Sequence, residues 1–177
     1  MILPPSFTLS IRAGGNSTYE LSASQVLPLP REQAFTFFED PRNLFEITPG
    51  WLRFVMRDRE QMTGMFEGAE FDYTIRWFGV PLPWTSRITG YRPPERFTDI
   101  QLAGPYRSWS HLHTFDEAPG GTRMTDIVTY QLPLGPLGRL VHAIAVRRQL
   151  EDIFRHRAQR VDAWARGDLL IKGGAAP

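Results

Sequence analysis

From Tyr19 to Leu27 the chain alternates Tyr19, Leu21 and Ala23 with Glu20, Ser22 and Ser24, the period-two pattern of a half-buried strand. Pro28 and Pro30 end it. Over residues 31–38 the period changes, and Ala34, Phe35 and Phe38 fall on one helical face. Asp40-Pro41 reads as an N-cap followed by proline at the first helical position, so a second short helix runs to about Ile47 and stops at Pro49-Gly50. Strand patterns then follow at Trp51–Arg57, Ala69–Phe78, Trp84–Tyr91, Arg96–Leu102, Tyr106–Phe115 and Thr122–Leu132. They are broken at Met62-Thr63-Gly64, Gly79-Val80-Pro81, Pro93-Pro94, Gly104-Pro105 and Pro119-Gly120-Gly121, gaps short enough to favour antiparallel hairpins. From about Pro136 to Arg166 there is no internal proline, which predicts one long helix. Leu137, Val141 and Ile144 make one of its stripes, and Ala143, Leu150, Phe154, Val161 and Trp164 another, with Leu140 between them. The first half is therefore apolar over a wide arc, as expected of a helix that covers both a sheet and a cavity.

This order predicts an α+β fold: a curved antiparallel sheet of about seven strands around a long C-terminal helix, with two short helices after the first strand. A cavity remains between sheet and helix wherever the facing side chains do not fill the space. Residues 1–18 read as a weakly specified arm ending in the loop signal Gly14-Gly15-Asn16-Ser17. Residues 19–166 form the domain, and residues 167–177 read as a flexible tail.

Composition narrows the function. A chain of 177 residues with 42% apolar and 22% charged residues builds one folded domain rather than a disordered segment. The absence of Cys excludes disulfides, thiolate nucleophiles and Cys-based zinc sites. A formal charge of +1 gives no general attraction to nucleic acid. Lys172 is the single lysine, which leaves Schiff-base chemistry almost without a candidate. No apolar run reaches the ~18–20 residues of a membrane span, and MILPPSFTLSIRAGG lacks the basic region of a signal peptide. The expectation is a cytoplasmic protein without stable membrane insertion; protein partners stay open. Five Trp and 12 Phe suit a large core or an apolar cavity.

The run Gly104-Pro105-Tyr106, Trp109, His111, His113, Phe115, then Gly121-Thr122, Asp126, Tyr130 and Pro133, carries a family resemblance, to which Phe97, Asp99 and Gln101 add. With the element order over residues 19–166, it resembles the START-like superfamily, also called SRPBCC or helix-grip. The likeness is to a bacterial ligand-binding, polyketide cyclase-like branch in which a W-x-H-x-H-x-F strand precedes a D-x-x-x-Y strand. The resemblance implies a helix-grip fold with a hydrophobic cavity. It implies no single activity, because the superfamily holds carriers, sensors and enzymes.

Strand alternation puts Trp109, His111, His113 and Phe115 on one face, inward by its aromatics, and Tyr106, Ser108, Ser110, Leu112 and Thr114 on the other. A symmetric turn near Gly104-Pro105 sets Gln101 opposite Trp109 and Asp99 opposite His111. A turn near Ala118-Pro119 has two registers. The favoured one sets Asp126 opposite His111 and Met124 opposite His113, and a one-residue slip points Asp126 away. In the favoured register His111 lies between two carboxylates. Such a cluster can be a satisfied buried network, the polar end of a ligand pocket, or a two-His, one-carboxylate metal set. The aromatic surroundings and the lack of a third nearby His argue against the metal, so no metal and no cofactor is expected. His142 and His156 read as helix-surface or packing residues.

Glu70 and Asp72 read as the solvent face of a strand whose other face carries Phe71, Tyr73, Ile75 and Trp77. Arg87 reads as outward, although a one-residue shift aims it at Asp99. Most helix arginines suit a solvated face, but Arg157 shares the stripe of Phe154, Val161 and Trp164, either as an anchor for a ligand carboxylate or as a snorkelling side chain. Ser86, Ser108 and Ser110 lack a nucleophile-elbow context. The function read from these residues is binding of a hydrophobic small molecule: a lipid, an isoprenoid or an aromatic polyketide-like compound. The ligand-binding set is Trp84, Asp99, Gln101, Trp109, His111, His113, Phe115, Asp126, Tyr130, Leu150, Phe154 and Arg157. The alternative is a non-covalent cyclase or dehydratase drawing on His111, Asp99, Asp126 and Tyr130.

Overall fold

A computed structural model of the chain describes residues 3–56, 64–77 and 79–169. The elements are β1 (Thr8–Ala13), β2 (Thr18–Leu27), α1 (Arg31–Glu39), α2 (Asn43–Glu46), β3 (Val55–Met56), β4 (Glu70–Trp77), β5 (Val80–Arg92), β6 (Arg96–Ala103), β7 (Ser108–Ala118), β8 (Gly121–Gln131), α3 (Gly135–Val141) and α4 (Arg147–Ala165). A π-helical turn, His142–Val146, joins α3 to α4. The strands make one sheet in the order β1-β2-β8-β7-β6-β5-β4-β3. With the long C-terminal helix across it, this is the helix-grip fold. Among the described residues no helix is long and apolar enough to cross a membrane.

The sheet has eight strands where seven were expected. The additional one is β1, in the segment read as a loose arm, and it pairs antiparallel with β2 from Thr8↔Ser24 to Ala13↔Tyr19. Its alternation is muted because it is an edge strand: only Ile11 is buried. The strand expected over Trp51–Arg57 shrinks to β3, since Gly50–Leu52 forms a 3-10 turn and Arg53 takes a left-handed backbone. Arg57, Phe78 and most of the Met62-Thr63-Gly64 break lie outside the described residues, as does the tail from residue 170. The N-cap expected at Asp40 is displaced: α2 begins at Asn43 with Arg42 before it and no side-chain cap, and Asp40 Oδ1 accepts the Arg42 N–H at 2.9 Å in the turn ahead of the helix.

Two apolar clusters join the sheet to the helices. One joins α1 to the C-terminal half of α4 through Phe35, Phe38, Phe97, Phe115, Val161 and Trp164. The other joins β1, β2 and β8 to the N-terminal half of α4 through Leu21, Val128, Tyr130, Leu150 and Phe154. The wide apolar arc at the start of the helix is only partly covered: Leu140 and Ile144 are 56% and 71% exposed. His142 is a packing residue rather than a surface one. It stacks on Tyr19 at 3.5 Å between centroids, and its Nε2 lies 2.8 Å from the Tyr130 hydroxyl. Burial, then Arg147, holds this imidazole below the ordinary histidine value.

Candidate functional site

A cavity of about 450 Å³ lies between the sheet and the helix. Its walls come from α1, α2, β4–β7, α3 and α4, and most of its lining is aromatic or aliphatic. The alternation of β4 explains one wall. Phe71, Tyr73, Ile75 and Trp77 face the cavity, while Glu70 and Asp72 face out, bonded to Arg87 (2.6 Å) and Thr85 (2.6 Å). Arg87 is thus turned away from Asp99.

Of the twelve residues expected at the ligand site, Trp84, Asp99, Trp109, His111, His113, Leu150, Phe154 and Arg157 line this cavity. The other four lie elsewhere. The Gln101 side chain closes the β6–β7 turn, its Nε2 donating to the Tyr106 carbonyl at 2.8 Å and its Oε1 accepting the Tyr106 N–H at 3.2 Å. Phe115 packs into the α1 cluster. Tyr130 bonds His142 in the opposite cluster, fully buried. Asp126 stands behind the two histidines rather than at the cavity surface. Tyr106 departs from the outward face that alternation predicts, because β7 begins only at Ser108 and strand alternation does not reach it. It lines the cavity and packs on Trp84 and Trp109.

The β6–β7 ladder pairs Asp99 with His111, as expected. The β7–β8 register is two residues from the expected one: Asp126 pairs with His113, and Met124 with Phe115. The turn is Pro119-Gly120, flanked by the pair Ala118↔Gly121, and both glycines have positive φ, +88° and +139°. A shift of two keeps every side chain on its own face, so Asp126 still points inward.

The result is a compact polar cluster. Nε2 of His111 lies 2.7 Å from Oδ1 of Asp126, and Nε2 of His113 lies 3.2 Å from Oδ2 of Asp99, both as hydrogen bonds. Two further contacts cross these: His111 Nδ1 to Asp99 Oδ2 at 3.4 Å and His113 Nδ1 to Asp126 Oδ1 at 2.8 Å. The second is close but off line, and His113 Nδ1 has no hydrogen-bond partner. The imidazoles lie 3.8 Å apart between centroids at 32°.

These contacts set the charges. Burial, and then the neighbouring His113, lower the affinity of His111 for a proton. Burial opposes a charge on His113 too, but the close Asp126 carboxylate, then the hydrogen-bonded Asp99, outweigh it and raise the His113 value. Burial would raise both carboxylates; the histidines reverse this, holding Asp99 below and Asp126 far below the usual carboxylate range. Burial, with Asp99 close by, pushes the Tyr73 phenol well up, and its hydroxyl pairs with Ser86 Oγ at 3.1 Å.

Asp99, His111 and His113 each bring one ligand atom within 4.8 Å of the others, the geometry that raises the question of a metal. The two imidazoles are tilted by 32° with centroids 3.8 Å apart, and the Nε2 of each already meets a carboxylate oxygen at hydrogen-bond distance.

Among curated proteins none is detectably similar to this chain in sequence. Among solved structures, protein Ms6760 from Mycobacterium smegmatis is similar at 17% identity and TM-score 0.64, over 92% of this chain and 99% of that one. The di-domain ARO/CYC StfQ from the steffimycin biosynthetic pathway is similar at 16% identity and TM-score 0.65, over 85% of this chain and 51% of that one. Ara h 8.0201 is similar at 16% identity and TM-score 0.56, over 81% of this chain and 97% of that one. These likenesses establish the fold, and the sequence establishes the family. Residues 27–154 match the model described as polyketide cyclase / dehydrase and lipid transport, and the chain belongs to that family, within the START-like superfamily.

Proposed function

We propose that the protein binds a hydrophobic small molecule — a lipid, an isoprenoid or an aromatic polyketide-like compound — in the cavity between sheet and helix. Family membership places it among hydrophobic-ligand binders and polyketide cyclase-type proteins in general. The observation that carries the finer reading is the cavity itself. Its volume of about 450 Å³ suits a small organic ligand, and its mainly apolar wall carries a polar group of Asp99, His111, His113 and Arg157, with Asp40, Asn43, Thr48, Ser86 and Gln149 as further polar lining. The aromatic wall supplies apolar contact, and the polar group orients one end of the molecule. A cytoplasmic location belongs to the same proposal.

The test is native mass spectrometry of protein purified from its host, paired with titration of a neutral naphthylamine fluorophore. A co-purifying hydrophobic adduct, displaced by the fluorophore, is the expected result. Protein that carries no adduct and leaves the fluorophore unbound would remove the reading.

A second reading, a non-covalent cyclase or dehydratase, is favoured by the opposed shifts of the two histidines. His113, raised, can give a proton where His111, lowered, can take one, and both line the cavity. The chemistry would be abstraction of a proton beside a carbonyl, with protonation of the accepting oxygen. Ring closure of a poly-β-keto substrate mimic, lost in His111→Ala while fluorophore binding persists, is its signature.

A further inference from the structure

Arg157 on α4 is a cation at the polar end of the cavity with few hydrogen-bond partners. Its side chain is only 12% exposed, and it contributes to the cavity wall. A guanidinium has five N–H donors. Among the described residues its one ion-pair contact is from Nη1 to Asp126 Oδ1 at 4.0 Å, the outer limit of such a contact. That oxygen already lies 2.7 Å from His111 and 2.8 Å from His113, so it has little to offer a third donor. Nε of Arg157 is buried and has no hydrogen-bond partner. Phe154 lies beneath the guanidinium, its centroid 5.0 Å from Cζ, which holds the group in place without using its N–H edge. A buried donor left unpaired is costly, and a buried charge more so.

From this arrangement we infer that Arg157 is the head-group anchor of the cavity and that the ligand is a monoanionic amphiphile, a carboxylic acid with a hydrophobic tail. The inference rests on the cavity-binding reading above and adds the chemistry of the ligand's polar end. A carboxylate matches the planar fork of a guanidinium with two parallel hydrogen bonds. Among the described residues Arg157 is the only Arg or Lys in the cavity wall, and Asp99 and Asp40 are there too. That balance suits one negative charge rather than the two of a phosphate monoester. The tail then runs along the apolar wall formed by Leu150, Ile153 and the β4 aromatics. Arg157 is thus an anchor rather than a snorkelling side chain, since snorkelling carries the charged head to water and this one is buried.

The test compares dodecanoic acid, ionised at pH ~8, with dodecanol as competitors of the neutral naphthylamine fluorophore. Wild-type protein is expected to bind the acid about tenfold more tightly than the alcohol, the scale of a charge-assisted hydrogen bond. Arg157→Gln should lose that preference, the acid then competing no better than the alcohol. Equal affinity of wild type for acid and alcohol would overturn the anchor and leave the cavity reading standing, as would an undiminished acid preference in Arg157→Gln. If the fluorophore and both competitors fail to bind, the cavity reading falls as well. The wild-type comparison needs no variant, so a failure of Arg157→Gln to fold leaves the test decisive.

Discussion

Oδ1 of Asp126 lies 2.7 Å from Nε2 of His111, with both side chains more than nine-tenths buried. The strand ladder pairs Asp126 with His113 instead, so the carboxylate reaches diagonally to a histidine one inward position further along β7. One oxygen thereby serves both imidazoles and ties β8 to β7 at the centre of the sheet. Removing one partner of such a buried, charge-assisted group leaves the others unpaired. Asp126→Asn should cost roughly 3–5 kcal/mol in urea unfolding. A loss below about 1 kcal/mol would show that the cluster contributes little to the fold.

The pH dependence of stability follows from the directions of the shifts. Asp126 and Asp99 are lowered by the histidines, so their contribution is present above the ordinary carboxylate value of 3.8 and lost as pH falls below it. His113 is raised, so its contribution is present below 6.5 and lost as pH rises through its raised value. His111 is lowered, so its contribution is present above 6.5 and fades as pH falls toward its lowered value. The two histidines oppose each other near neutrality, and the dominant change should be a loss of stability in acid. Imidazole NMR titration should find His113 protonating above 6.5 and His111 below it. Both titrating together at the ordinary value would contradict the cluster.

Alternation placed His111 and His113 on an inward face and Phe71, Tyr73, Ile75 and Trp77 on another, because period two survives wherever one face of a strand is buried. It found β2 but not β1, because an edge strand with one buried residue carries almost no alternation. Hairpin register was legible at Asp99↔His111 but not at Asp126, because it depends on where the backbone turns. Positive φ at Gly120 and Gly121 is a conformational choice that the string Pro-Gly-Gly permits but does not impose. Strand face and the family resemblance both point to Gln101 and Tyr130, and neither can tell a cavity wall from a turn closure or a filled core.

The register of β8 rests on Gly121. Its backbone has φ +139°, and a Cβ there would lie 2.0 Å from the Leu27 carbonyl oxygen. Gly121→Ala therefore meets rigid backbone as well as an unfavourable conformation. Its cost should be about 1–3 kcal/mol or more, read as a fall in the urea midpoint. Gly120→Ala, with no atom within 4 Å of the added carbon, should show the conformational part alone and cost less. Equal losses at the two positions would assign the effect to backbone strain and not to the contact with β2.

Tryptophan emission should report cavity occupancy, because the five tryptophans occupy distinct settings. Trp77, Trp84 and Trp109 line the cavity, and Trp84 and Trp109 meet edge to face at 5.3 Å between centroids. Trp51 is 51% exposed, and Trp164 is buried against Phe37 at 4.0 Å in the α1 cluster. A hydrophobic molecule entering the cavity replaces water beside the first pair and leaves Trp51 and Trp164 as they were. Titration with the neutral fluorophore should then quench tryptophan emission by energy transfer, saturating at one molecule per chain. The double variant Trp84→Phe/Trp109→Phe should lose the largest part of the signal change, whereas Trp51→Phe should keep it. Phenylalanine preserves an apolar aromatic wall, so affinity measured from the fluorophore's own emission should move by less than about threefold. If Trp51→Phe abolishes the response and the double variant keeps it, the molecule sits on the outer surface, and the space between sheet and helix is not its site.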